Sequence, residues 1–267
     1  MRKAKRKMLI YLCFVGGIVA AIVVLPWLLK AKPTAVHVDD IWLAPCRKHP
    51  FGTDSLGRDV LIRLLCGGRV SLFIAAIVEM ISFPVGVSSG YLAAVVKCRF
   101  AAVSDVVMDI LFAFPDIVLA LFLSGLLGPS ISVMVATIVI LEVPVFYIYT
   151  KRQIHKIRSE PFIEALEVLG VKRRDIFLHH IIPHLMPLMI PKVIFNFATT
   201  IIFESTMSFI GIGIQAPTPS WGNMISNGVE YLQEYPWLAT SVCIVFAFTT
   251  FVLFGLGEAA EEVCSGR

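Results

Sequence analysis

Three carboxylates, Glu79, Glu142 and Glu204, stand inside long apolar runs of this chain. A charge in hydrocarbon is costly and marks function by default, so each can be read as a group that meets an amine or a metal cation. Each can equally stay protonated, or hydrogen-bond between helices, and set packing alone. At about 1.5 Å rise per residue, Glu79 and Glu142 fall near the middle of their runs and Glu204 towards one end of its own. Asp105 and Asp109 fall at the end of another run and are expected near headgroups and basic loops. Lys192 is expected to reach back to the same boundary. His180 and His184 are four apart with His179 adjacent, which is acceptable metal-ligand spacing on a helix. They fall at a run's end, where a solvated role is the simpler reading. A polar stretch, FGTDSLGRD from Phe51 to Asp59, is charged differently. There Asp54, Arg58 and Asp59 can form a charge-assisted network, with Gly52 and Gly57 giving the backbone freedom to turn. That network either folds the stretch or docks a partner. No run holds a nucleophile with a base, or a HExxH motif, so no catalytic residue and no metal site are assigned.

The elements that must position these groups are membrane helices. Hydrophobic residues make up 57% of the 267 and charged residues 16%, with mean hydropathy +0.83. A soluble domain averages about 25% charged residues, so this surface faces lipid. The apolar runs, at 8–29, 70–96, 103–127, 131–150, 185–214 and 238–256, are of bilayer-spanning length. They are too long and too uniformly apolar for barrel strands. The expectation is an all-α membrane protein of six transmembrane helices. Its two parts are 1–69, a basic segment with the first span and an external loop, and 70–267, a five-helix core. That length leaves no room in this sequence for a nucleotide-binding domain. The first run follows a basic cluster, as in a signal peptide, but it is longer than such a core and ends in Pro26-Trp27-Leu28-Leu29-Lys30. It reads as an uncleaved span. Cys46 and Cys66 are the two of the six cysteines that could share one side and pair.

Lysine and arginine place both termini inside. The first cluster, Lys97, Arg99, Lys151, Arg152, Lys156, Arg158, Lys172, Arg173, Arg174 and Arg267 then share one side, whereas the loops at 128–130 and 215–237 hold no basic residue. The loop at 30–69 breaks the pattern with seven basic residues, offset by Asp39, Asp40, Asp54 and Asp59. On the basic side lies SEPFIEALEVLGVKRRDIFLHHIIP, residues 159–183. It reads as two short helices broken near Gly170, the first capped by Ser159 with Pro161 in its first turn. Phe162, Leu166 and Leu169 form an apolar stripe, and Glu160, Glu164 and Glu167 an acidic one. A helix lying on a membrane surface is usually basic on its polar face, so an acidic stripe favours a groove on a partner.

Glu164-Ala165, Gly170 and Pro183 resemble the cytoplasmic EAA…G…LP signature of binding-protein-dependent ABC permeases. The Phe51 to Asp59 stretch resembles the GTDxxGRD segment of the dipeptide, oligopeptide and nickel permeases. Ser208 to Gly222, SFIGIGIQAPTPSWG, and Phe112 to Pro115, FAFP, are similar to further segments of those proteins. Leu166 stands where a second alanine is usual and His180 where isoleucine is usual. The resemblance implies a type I ABC importer permease fold in a bacterial plasma membrane, N-in and C-in. It implies a subunit, contacting lipid and no nucleic acid, that works with a second similar permease and two ATP-binding subunits. A periplasmic or extracellular substrate-binding protein would deliver peptide, nickel or metal-chelate cargo. ATP and magnesium would sit on the partner ATPases, with no cofactor in this chain. Phe162, Glu164, Ala165, Leu166, Leu169, Gly170 and Pro183 would then couple to the ATPase, and Glu79, Glu142 and Glu204 would line the cargo path. An ion-driven transporter is the rival, for which inverted repeats are expected; none is visible in the sequence.

Overall fold

The computed structural model describes residues 2–29, 32–95 and 99–265. Lys30, Lys97 and Arg267, used above in placing the spans and their sides, lie outside the described residues. The bundle is built from α1 (Arg2–Leu28), α2 (Val60–Val95), α3 (Arg99–Ala113), α4 (Asp116–Leu127) and α5 (Ile131–Arg158). It continues with α6 (Pro161–Val168), α7 (Arg173–Ile176), a π-helical turn (Phe177–Ile181), α8 (Ile182–Ile210), α9 (Trp221–Glu230) and α10 (Trp237–Cys264). Five helical stretches are long and apolar enough to cross a membrane, and the α3–α4 pair makes a sixth.

That pair corrects the expectation of one continuous third span. The two helices meet at 93°. Pro115 has no N–H to donate and disfavours helical backbone at Phe114, so α3 stops and α4 starts afresh. The pair still crosses the bundle. Asp105 on α3 reaches Tyr147 and Lys151 of α5, while Ala120 on α4 packs with Met134 and Ile138, about two to five turns back along α5. A chain that turned back at Pro115 would not run antiparallel to α5 over that length.

The second span also begins earlier than expected, at Val60 rather than residue 70. Asp59 caps it, its Oδ1 accepting from the Ile62 N–H at 2.9 Å. At 36 residues α2 is about 54 Å long, well beyond a hydrocarbon core of about 30 Å. The fifth span ends at Ile210, because Gly211 turns left-handed at φ +91 and the Ile212 and Gly213 N–H groups fold back onto the Met207 carbonyl.

Helix pairing defines two ends. Lys7 on α1 bonds Glu262 on α10 at 2.8 Å, and Phe14 meets Phe248 edge-on, so α1 and α10 are antiparallel and their outer termini lie together. Arg158 donates to the Ala94 carbonyl, which brings the ends of α2 and α5 to α6. This basic end opposes the loop end, where Trp237 at the start of α10 donates to the Thr53 carbonyl. Between the ends, α2 and α5 approach closely, and a Cβ on Gly90 would lie 2.5 Å from the Tyr147 carbonyl oxygen. Small residues at such crossings let membrane helices gain dispersion contacts that lipid would otherwise supply.

Candidate functional site

At the basic end, α6 is short and held from one side. Its N-cap is Glu160, without a side-chain cap. Ser159 was expected there but instead closes α5 and donates to the Lys156 carbonyl at 2.8 Å. Pro161 fills the first turn, where its missing N–H costs nothing. The helix ends in a Schellman motif: Gly170 N–H donates to Glu167 O and Val171 N–H to Leu166 O, both at 3.1 Å. Gly170 sits at φ +76, the left-handed backbone expected of it.

The buried face of α6 differs from the expected stripe. Ile163 is 2% exposed and, with Leu166 and Val171 alongside, joins a cluster of Ile154, Ile157, Ile176 and Ile181. Phe162 lies to one side against the His184 ring, 5.3 Å between centroids. Leu169 is 77% exposed and Val168 82% exposed. Glu160, Glu164, Ala165 and Glu167 are exposed with them. The outward surface is therefore Glu164, Ala165, Glu167, Val168 and Leu169. Val168 was missed, and Ile163 with it, because eight residues make about two turns and give apolar periodicity too little length to choose a face. Pro183 opens α8 and lines, with Phe162 and His184, a cavity of about 830 Å³ at this end. The histidines bond locally: His179 Nδ1 lies 3.2 Å from Asp175 O and His184 Nδ1 2.7 Å from His180 O.

Deeper in the bundle, the three carboxylates separate into two settings. Glu142 on α5 lines a cavity of about 750 Å³ with Asp116, Lys192, Asn196 and the hinge residue Pro115. Its carboxylate accepts from Asn196 Nδ2 at 3.4 Å, from Ser82 Oγ at 3.5 Å and from Thr200 Oγ1. Glu79 lies beside it, 7% exposed, with its carboxyl against that of Glu142. Glu204 is apart from both and fully buried. It accepts from Ser208 Oγ at 2.8 Å, and Ser208 Oγ in turn accepts from Ile214 N–H at 3.0 Å. Glu204 thus braces the turn after α8. The rest of the SFIGIGIQAPTPSWG stretch continues that packing. Ser220 caps α9 in a reciprocal box with Asn223, and buried Trp221 donates to the Leu64 carbonyl at 3.1 Å.

Lys192 lines the cavity at the basic end as well as the one beside Glu142. It is half-buried, faces Glu142 and Glu79, and stands 5.9 Å from the Tyr149 ring centroid. Asp105 does meet a basic group, Lys151 Nζ at 2.5 Å, together with Tyr147 Oη at 2.6 Å.

At the loop end Asp40, Asp54 and Asp59 are paired within the chain. Asp54 Oδ1 accepts from the Leu56 and Arg58 N–H groups, and Oδ2 meets Arg58 Nε at 2.7 Å and Arg63 Nε at 3.3 Å. Asp59 Oδ2 lies 2.7 Å from His49 Nδ1. Lys48 bonds Asp40 at 2.7 Å, which holds the Asp40 carboxyl below the usual range and the Lys48 ammonium above its own. Gly52 and Gly57 take φ +74 and +70. Trp42 stacks on Tyr235 at 4.3 Å. Cys46 and Cys66 are free thiols.

An all-helical bundle with a broken third crossing and a short helix at its basic end has the fold of a type I ABC importer permease. A chain of the MetNI methionine ABC transporter, in inward-facing conformations of the CY5 native crystal form, superposes with TM-score 0.59 at 14% identity. That match covers 76% of this chain and 95% of the other, and it speaks for the fold alone. The family model described as binding-protein-dependent transport system inner membrane component matches residues 83–260. The chain belongs to that family. It is 31% identical over 221 residues to the dipeptide transport system permease protein DppC of Alkalihalophilus pseudofirmus, covering 81% of this chain and 73% of the relative. It is 30% identical over 234 residues to the probable D,D-dipeptide transport system permease protein DdpC of Escherichia coli K12, covering 87% and 78%.

Proposed function

We propose that this chain is the permease subunit of an ATP-driven importer of peptides, with α6 as its coupling helix. The observation that carries the reading is the outward face of α6. Val168 and Leu169 are 82% and 77% exposed beside Glu164 and Glu167, while Ile163 anchors the helix from behind. A short helix fixed on one side and apolar and acidic on the other fits a groove on a partner. That partner is an ATP-hydrolysing subunit, which holds ATP and magnesium. The importer contains two such subunits, a second similar permease and an external substrate-binding protein, and this chain performs no chemistry itself.

The basic end faces the cytoplasm, in line with its lysines and arginines. Closure of the ATPases moves the paired coupling helices together. The Schellman turn at Gly170 and the Ile163 cluster transmit that movement to α5 and α8. The helix bundles then exchange inward for outward access, which requires only that ATP favour one of two states. Cargo passes the cavity lined by Glu142, with Glu79 behind it. Glu204 braces the turn after α8, outside the path. The Asp54–Arg58–Arg63 network shapes the external loop, with docking of the binding protein as a consequence. Relatives named for dipeptide transport favour peptide cargo over nickel.

Co-purification of the tagged chain from its own operon tests this, with ATPase and uptake assays on the wild type and Glu164→Ala. A second permease and ATPases are expected to co-purify, with Glu164→Ala weakening their association or uncoupling hydrolysis from uptake. A chain that purifies without any ATPase overturns the reading in favour of an ion-driven transporter.

A further inference from the structure

Two cavities in this bundle meet at one side chain. The mid-depth cavity lies between the α3–α4 hinge, α5 and α8, and includes Pro115, Glu142 and Asn196. The cytoplasmic cavity lies between α5, α6, α8 and α10, and includes Tyr149, Phe162 and Glu261. Lys192 lines both. On α8 it is followed by Asn196 and Thr199, which also face the mid-depth cavity.

The ammonium of Lys192 has a particular standing among its neighbours. The Glu142 oxygens accept from hydroxyl and amide donors, Ser82, Asn196 and Thr200, so that carboxylate has its hydrogen bonds without the lysine. Glu79 and Glu142 act on Lys192 through space, and the Tyr149 ring lies 5.9 Å away. Among the described residues Lys192 forms no ion pair within 4 Å. A half-buried cation at the junction of two cavities retains unused donors, and a passing anion can supply their acceptor.

We propose that Lys192 reads the carboxylate end of the cargo as it moves from the mid-depth cavity to the cytoplasmic one. This rests on the peptide-importer reading. A peptide with a free carboxyl terminus carries the anion that an ammonium on the path would meet in either cavity. The Glu142 and Glu79 side chains act on the same ammonium only through space, which leaves its donors free to make and break a transient contact. A conducting site must hold its ligand well enough to admit it and loosely enough to release it.

The competing account is that Lys192 only offsets the charge of Glu142 and Glu79. The two accounts separate in proteoliposomes holding the complete importer, with its binding protein and a labelled dipeptide. Lys192→Met and Lys192→Gln are expected to lower uptake by roughly ten-fold or more, the loss of one charge-assisted contact. Lys192→Arg, which keeps the cation, should retain more uptake than either uncharged variant. The decisive measurement is the ratio of wild-type to Lys192→Gln uptake, taken for the free dipeptide and for its C-terminal amide; the ratio should fall towards one for the amide. An equal ratio for both overturns the proposal, because the lysine then serves only as a counter-charge. Unchanged uptake in both uncharged variants overturns it too, as does failure of both to assemble with the ATPases. A wild-type complex that moves no peptide removes the peptide reading itself, and this inference with it.

Discussion

The two ends of the bundle use similar residue types in opposite ways. At the loop end, Asp54 serves Arg58 and Arg63, Asp59 serves His49 and the first turn of α2, and Asp40 serves Lys48. Trp42 and Trp237 are likewise occupied, by Tyr235 and the Thr53 carbonyl. At the α6 end, Glu164 and Glu167 stand exposed beside Val168 and Leu169. The charges of the Asp54 network, paired inside the chain and largely buried, stabilise that chain. An acidic and apolar face left outward contributes little until another protein covers it. The loop end is therefore where substitutions should cost folding, and the α6 end where they should cost assembly.

The sharpest way to break that contrast is Asp54→Ala. It leaves the Arg63 side chain, 4% exposed, as a buried cation without its partner, at a cost of about 3–5 kcal/mol. Thermal unfolding in detergent reads the loss, and an unchanged midpoint would deny the loop its structural role. The mirror experiment is Val168→Asp with Leu169→Asp. Stability should stay within about 0.5 kcal/mol, because both side chains are exposed. ATPase co-purification should fall by the equivalent of about 2 kcal/mol or more, as for an interface hot spot. Gly170→Ala sits between the two cases. A Cβ there meets nothing within 4 Å, so the cost is only left-handed strain, about 1–2 kcal/mol. It should appear both in unfolding of the α6 segment, by hydrogen exchange, and in weaker ATPase binding.

The smallest effect concerns pH at the loop end. Lys48 holds Asp40 below its ordinary value near 3.8, so the stability this pair contributes is present above that value. It should be lost as the pH falls through the lowered one. Lys48 is held above its ordinary 10.5, so the contribution also fades at strongly alkaline pH. Comparing unfolding midpoints of the wild type and Asp40→Asn across pH checks this. The difference should be small near neutrality and vanish at the acid end.

The sequence by itself determined the class of solvent, the number of crossings and the place of the α6 segment, because long apolar runs and flanking charges act locally. It also marked Gly170, since a helix stop followed by left-handed backbone favours glycine whatever surrounds it. The break at Pro115 was present in the residues yet read as continuous helix, because a proline inside a membrane helix need not end it and only packing along α5 decides. The carboxylates show the limit most plainly. Glu79, Glu142 and Glu204 look alike in sequence, and only the tertiary structure puts Glu142 on a cavity, Glu79 behind it and Glu204 under a turn. The same holds for Lys192, which only the tertiary structure puts on two cavities at once. What a side chain faces depends on the rotation of one helix against its neighbours, and that is set by contacts far apart in the chain.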